Sequence, residues 1–155
     1  TVSVTRNADV LTYDDAGNFE DAAGTAYAEA STDWSTSSQT SIAVGRSSGM
    51  IYTTSSEAST LSRINDGTNT SNSPAGTARF NAPQPAAGTW GSALTAYSPA
   101  TLLPDLTPAS YDGTIGTGDI GIGNVSSGAN QWSGTIRNVK IYSNEKSDAE
   151  VLVLG

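Results

Sequence analysis

The side chains able to do chemistry in this chain are few in kind: three Trp, six Tyr, fifteen carboxylates and seven basic groups, with no His and no Cys. Without an imidazole there is no side chain that titrates near neutral pH, and Ser-His-Asp and Cys-His mechanisms are excluded. Without thiols there is neither a disulfide framework nor a thiolate metal site. Glycoside hydrolysis needs two carboxylates flanking the bond, about 5 Å apart for retention and further for inversion. The closely spaced acids are Asp14-Asp15, Glu20-Asp21 and Asp148 with Glu150. All lie beside turn residues, where solvated loop acids are the ordinary outcome. Catalysis is not expected.

Recognition is the chemistry that remains. A sugar ring is bound by a flat aromatic face, with polar side chains beside it to bond the hydroxyls. Trp34 sits in the polar loop Asp33-Trp34-Ser35, where no strand pattern demands an apolar residue. Trp90 follows a Pro/Gly-rich stretch and precedes a strand, so it reads equally as platform or core. Asp33, Asn81 and Gln84 are the candidate polar partners, and Tyr52, Tyr97 and Tyr111 either line a groove or fill the interior. No cofactor is required by this chemistry. Calcium, which takes six to eight oxygen ligands, is the one candidate ion. Its ligands would be Asp14, Asp15, Asn18 and Asp21, joined by Asp112 or Asp119, unless these residues simply form turns.

The formal charge is −8, and Lys140 and Lys146 are the only lysines. A nucleic-acid binder needs a basic stripe to displace counterions, and none is present. The same acidity disfavours anionic membrane surfaces, and no apolar run approaches the roughly 20 residues of a spanning helix. The chain opens at Thr1, which suggests a module cut from a longer polypeptide or a processed one.

The elements that must position these residues are strands. Residues alternate apolar and polar at Val2/Val4, along Ala26, Ala28 and Ala30, at Ile42/Val44, Met50/Tyr52, Leu94/Ala96 and Ile120/Ile122, and along Thr135 to Tyr142. A period of two marks half-buried strands. For the Ala26 segment either face can be the buried one. Ser47-Ser48-Gly49 reads as the turn of a hairpin. Asn81 to Gly88, Pro99 to Pro108 and the polar stretches Ser31 to Ser41 and Thr68 to Ser73 read as loops. Arg46 and Arg79 fall within strands and are expected in structural ion pairs or facing an acidic glycan. Ser147 with Glu150 three residues on forms a capping box for a short helical turn. The whole, residues 1–155, reads as one all-β domain, long enough to bury about 70% of its unfolded surface.

The run Gln131-Trp132-Ser133-Gly134-Thr135-Ile136-Arg137-Asn138-Val139-Lys140-Ile141-Tyr142, with Ser147-Asp148-Ala149-Glu150 after it, resembles the closing strand and cap of concanavalin-like and laminin-G-like domains. Thr5 to Leu11 and Gly24 to Ala30 look like the start of lectin-like jelly rolls of phage tail and virion proteins, and Ala93 to Tyr97 and Gly121 to Gly123 resemble their middle strands. The resemblance implies a two-sheet antiparallel jelly-roll sandwich with at most a short C-terminal helical turn. It places Trp132 in the core. Hydrolases of this fold resembling laminarinases carry Glu-x-Asp-x-x-Glu on one strand, and that motif is absent here. Where many relatives turn through Asn-Gly, this chain reads Ala100 to Leu106, so a longer excursion is expected.

Two functions are therefore expected in order. The first is a non-catalytic, lectin-like module that recognises a glycan or polysaccharide, neutral sugars before acidic ones, in an extracellular or virion setting. The second is a structural jelly roll acting through protein contacts, a homo-oligomer within a larger assembly.

Overall fold

The computed structural model describes residues 11–14, 19–32, 39–47, 49–56, 59–74, 83–123 and 134–155. Among them ten strands and one short helix follow in order: β1 (Leu11–Tyr13), β2 (Gly24–Thr32), β3 (Gln39–Gly45), β4 (Gly49–Ser56), β5 (Ser59–Asn65), β6 (Thr70–Asn72), β7 (Gln84–Trp90), β8 (Thr95–Tyr97), β9 (Ile120–Ile122), β10 (Gly134–Tyr142) and α1 (Asp148–Leu152). One sheet has the order β1-β9-β3-β4-β5-β6 and the other β10-β2-β7-β8. Every pairing is antiparallel. The expected two-sheet sandwich with one helical turn is what forms.

Between the sheets lie Ala26, Ala28 and Ala30 of β2, Ala86 and Trp90 of β7, Ala96 of β8, Val44, Ile64 and Ile120 from the facing sheet, and Leu94 and Ile115 from loops. Small alanines on β2 leave room for Trp90, which is directly opposite Gly24 in the ladder. The question of which face of β2 is buried has an unexpected answer, because both are. Tyr27, on the outer face, joins Ala87, Tyr97, Leu102 and Val151 in a second apolar cluster under α1. The helix thus acts as a third layer over the smaller sheet.

Several loop assignments change. Gln84 to Trp90 is a central strand despite Pro85 and Gly88. Pro85 is tolerated because it lies next to the strand start, outside the stretch of β7 that pairs with β8. Thr70–Asn72 forms a three-residue edge strand. In β5 the buried positions are Ser62 and Ile64, with Leu61 turned partly outward, so the period of two prevails over residue hydrophobicity. β3 and β4 pair antiparallel as the expected hairpin. After β8 the chain makes its excursion through Ala100 and Leu102, both at positive φ, before Pro104 bridges back to Tyr97. Trp132, Arg79 and the segments before Leu11 lie outside the described residues.

A cleft at the edge of the smaller sheet

On the outer face of the smaller sheet, β2, β7 and β8 place Thr25, Thr89 and Thr95 side by side in direct cross-strand register. Threonine favours this pleated position, and the register turns three hydroxyls into a row. The segment 143–148 crosses over that row on its way to α1. Thr25 Oγ1 donates to the Asn144 carbonyl at 3.0 Å and accepts the Lys146 N–H at 2.9 Å. Glu145 accepts from the Ser92 N–H and hydroxyl at 2.9 and 2.8 Å. Asp148 Oδ1 accepts the Tyr97 hydroxyl at 2.9 Å. At the β8 end of the crossing a shallow cleft of about 550 Å³ remains, whose lining includes Thr89, Ser92, Thr95, Tyr97, Glu145, Lys146 and Asp148. That volume lies within the range of small-ligand sites.

The cleft is polar and acidic. Burial, the hydrogen bond to Asp148, and the charges of Asp148 and Glu145 push the Tyr97 phenol well up, against a lowering bond from Thr89, so it stays a neutral donor at its floor. Lys146 also lines the cleft, but its ammonium is engaged elsewhere. Its ammonium lies 4.4 Å over the Tyr142 ring and 3.6 Å from Glu150 Oε1. The Thr95 residue is 9% exposed, and its hydroxyl makes no hydrogen bond among the described residues. Asp148 Oδ2 is likewise without a partner there.

The sequence-nominated residues fare differently. Trp90 is not a sugar platform, because it is 0% exposed, stacked on Phe19 at 5.2 Å between ring centroids, and donates Nε1–H to the Glu20 carbonyl at 2.9 Å. Tyr97 contributes its hydroxyl to the cleft, while its ring is buried against Val151 and Leu102 and offers no stacking face. Tyr111 is half-buried against the core and donates its hydroxyl to the Asp21 carbonyl. Gln84 begins β7 five residues from Thr89, roughly 17 Å away along the strand, and does not join the cleft. Tyr52 is described by its backbone alone, opposite Arg63 in the β4–β5 ladder. Trp34, Asp33 and Asn81 lie outside the described residues, as do Asp15 and Asn18.

Of the four expected calcium ligands only Asp14 and Asp21 are described, and Asp21 is already engaged. Its carboxylate receives the Arg46 guanidinium at 3.0 Å, so a positive charge already occupies the position a cation would take. Asp14 is exposed beyond the end of β1, and no group of three His, Cys, Asp or Glu lies close enough to hold a metal among the described residues. Arg46 itself lies one residue past the end of β3 rather than within a strand, and of its two expected roles it takes the structural ion pair. It is 4% exposed, donates to the Gly118 and Gly116 carbonyls at 2.8 and 3.3 Å, and lies 4.4 Å over the Phe19 ring.

No family model matches the chain, and no curated protein sequence does. Solved structures do. A native heptameric SAP-like pentraxin from Limulus polyphemus superposes with a TM-score of 0.59 at 11% identity, over 97% of this chain and 77% of that one. Domains LG4-5 of the mouse laminin α1 chain give 0.51 at 11% identity, over 89% of this chain and 37% of that one. The fold is a concanavalin-like jelly roll. At this identity the likeness establishes the architecture alone, since one fold hosts many functions.

On this jelly roll the cleft residues were hard to find from sequence. Thr89, Ser92, Thr95 and Glu145 are unremarkable in type, and Asp148 reads as a turn acid paired with Glu150 in a capped helix, whose first residue it is. The available signal was the Thr25/Thr89/Thr95 row, which becomes visible only when the β2–β7–β8 register is known.

Proposed function

We propose that this chain is a non-catalytic, lectin-like module that binds carbohydrate hydroxyls in the cleft beside β8. The observation that carries this reading is the pair of uncommitted polar groups there, the hydroxyl of Thr95, a residue only 9% exposed, and Asp148 Oδ2. A hydroxyl donor-acceptor beside a carboxylate acceptor suits a vicinal diol. The cleft carboxylates already serve as acceptors, Glu145 for Ser92 and Asp148 for Tyr97, which favours a binding role over general acid-base chemistry. No metal is needed for this mode of binding. The site is shallow, so affinity in nature would come from several copies, either as an oligomer or as a module of a longer extracellular or virion polypeptide.

A second reading, a structural domain working through protein contacts, draws on different residues. Leu106 is 88% exposed and Val153 79%, with Leu103 and Leu152 about half exposed. The two are separated by a glycan-array screen of the purified domain, with and without calcium, run beside Thr95→Val and Trp34→Ala variants and a sedimentation measurement. Binding lost in Thr95→Val and retained in Trp34→Ala supports the cleft. Loss only in Trp34→Ala moves the site to that loop, and silence on the array with a stable oligomer favours the structural reading.

A further inference from the structure

We infer that the cleft selects a protonated amino sugar, an ammonium group flanked by ring hydroxyls, over neutral and acidic sugars. The inference rests on the proposed carbohydrate site and adds the charge of its ligand. Residues 145–150 carry three carboxylates, Glu145, Asp148 and Glu150, against the single ammonium of Lys146. That ammonium is drawn to the Tyr142 ring and Glu150. Within the cleft Asp148 Oδ2 is the open acceptor, and an N⁺–H donor makes a stronger bond to a carboxylate than a sugar O–H does. Thr95, buried and without a partner, stands on the adjoining strand to take a neighbouring hydroxyl. An acidic sugar would instead meet two carboxylates at close range, in a domain whose formal charge is −8. Burial first, then the hydrogen bond to Asp148 and the charges of Asp148 and Glu145, keep the Tyr97 phenol neutral at the cleft.

The test is an amide chemical-shift titration with glucosamine, glucose, N-acetylglucosamine and free lysine at about pH 6, below the range where such amines lose their proton. Glucosamine is expected to shift the Ser92, Thr95 and Asp148 amides and to bind about two to five times more tightly than glucose or N-acetylglucosamine, the range of a partly exposed charge pair. About 0.5 M salt should compress that ratio toward one. Asp148→Asn keeps an oxygen for the Tyr97 hydroxyl while removing the charge, and should abolish the preference with the dispersed spectrum of the fold intact. Thr95→Val should weaken glucosamine and glucose alike and leave their ratio unchanged. Equal binding of glucose and glucosamine with the same cleft shifts overturns the amine preference and leaves the carbohydrate site standing. Lysine binding as tightly as glucosamine overturns the amino-sugar assignment, and no cleft shifts with any sugar overturns both.

Discussion

Replacing Gly24 by Ala is a sensitive probe of how Trp90 is held. A methyl group at Gly24 would lie 2.1 Å from Trp90 Cζ2, 2.5 Å from Cε2 and 2.8 Å from Cη2. Carbon atoms pack at about 3.5–4.0 Å, so the indole must recede by at least roughly 1.4 Å. It is not free to do so, because Nε1 is tied to the Glu20 carbonyl and the ring is stacked on Phe19. Overpacking of a well-filled core costs about 1–3 kcal/mol, and with the ring pinned on two sides the upper end, about 3 kcal/mol, is expected. For a domain of this size that lowers Tm by about 6–12 °C. Trp90→Phe removes Cζ2 and Cη2 together with the Glu20 bond and should itself cost about 1–3 kcal/mol. In that background Gly24→Ala should cost less than about 1 kcal/mol, giving a coupling of about 2 kcal/mol. Urea and thermal unfolding of the four proteins, at unchanged m-value, measure the cycle. Equal costs of Gly24→Ala in both backgrounds, or a single variant that melts with the wild type, would refute the argument that Trp90 is a fixed core residue rather than a surface platform.

Arg46→Lys should lose about 2–3 kcal/mol, since an ammonium cannot reproduce the planar fork that reaches Gly116, Gly118 and Asp21 together; urea unfolding within about 0.5 kcal/mol of wild type would count against that role. Acid stability follows from two carboxyls. Burial pushes Asp66 up but the Asn69, Thr68 and Asp112 N–H donors hold it below its usual range, and bonds from Asn138 and Arg137 hold Glu29 down against its own burial. Their contribution is therefore complete above the unfolded carboxyl range and lost as pH falls below about 4, and Asp66→Asn should flatten the acid limb of a urea midpoint measured against pH. At alkaline pH the sign reverses. Burial, with nearby acids, pushes Tyr27 and Tyr111 up to about 12 and Tyr97 higher still, so stability should fall as pH rises above about 10, with Tyr27→Phe reducing the slope. A urea midpoint unchanged between about pH 9 and 11 would contradict this.

Local patterns carried much of the architecture. The strands over Gly24 to Thr32 and Thr135 to Tyr142, the β3–β4 hairpin and the Ser147/Glu150 capping box each depend on neighbours a few residues away and each forms, the box with Ser147 N–H bonded to Glu150 Oε2 at 2.9 Å, although β2 is buried on both faces and β10 shifts register between Arg137 and Lys140. The Gln84–Trp90 strand was missed because Pro85 and Gly88 carry a loop signature, and only pairing with β2 on one side and β8 on the other overrides it. Trp90 shows the same division. Its flanks allow either surface or core, and the choice is made by Gly24 opposite it, Phe19 stacked on it and the Glu20 carbonyl, all of which lie about 70 positions away in the chain.

What the sequence alone determined is the class of structure and the chemistry it excludes, because periodicity, turn residues, charge and the absence of His and Cys are properties of short segments and of totals. What the tertiary structure decided is which polar groups remain uncommitted. Asp21 was spoken for by Arg46, and Asp148 meets Tyr97 across 51 positions while keeping one oxygen open beside Thr95. A hydrogen bond satisfied or left unsatisfied is a relation between residues distant in the chain, and only the folded arrangement of the two sheets and the helix over them fixes it.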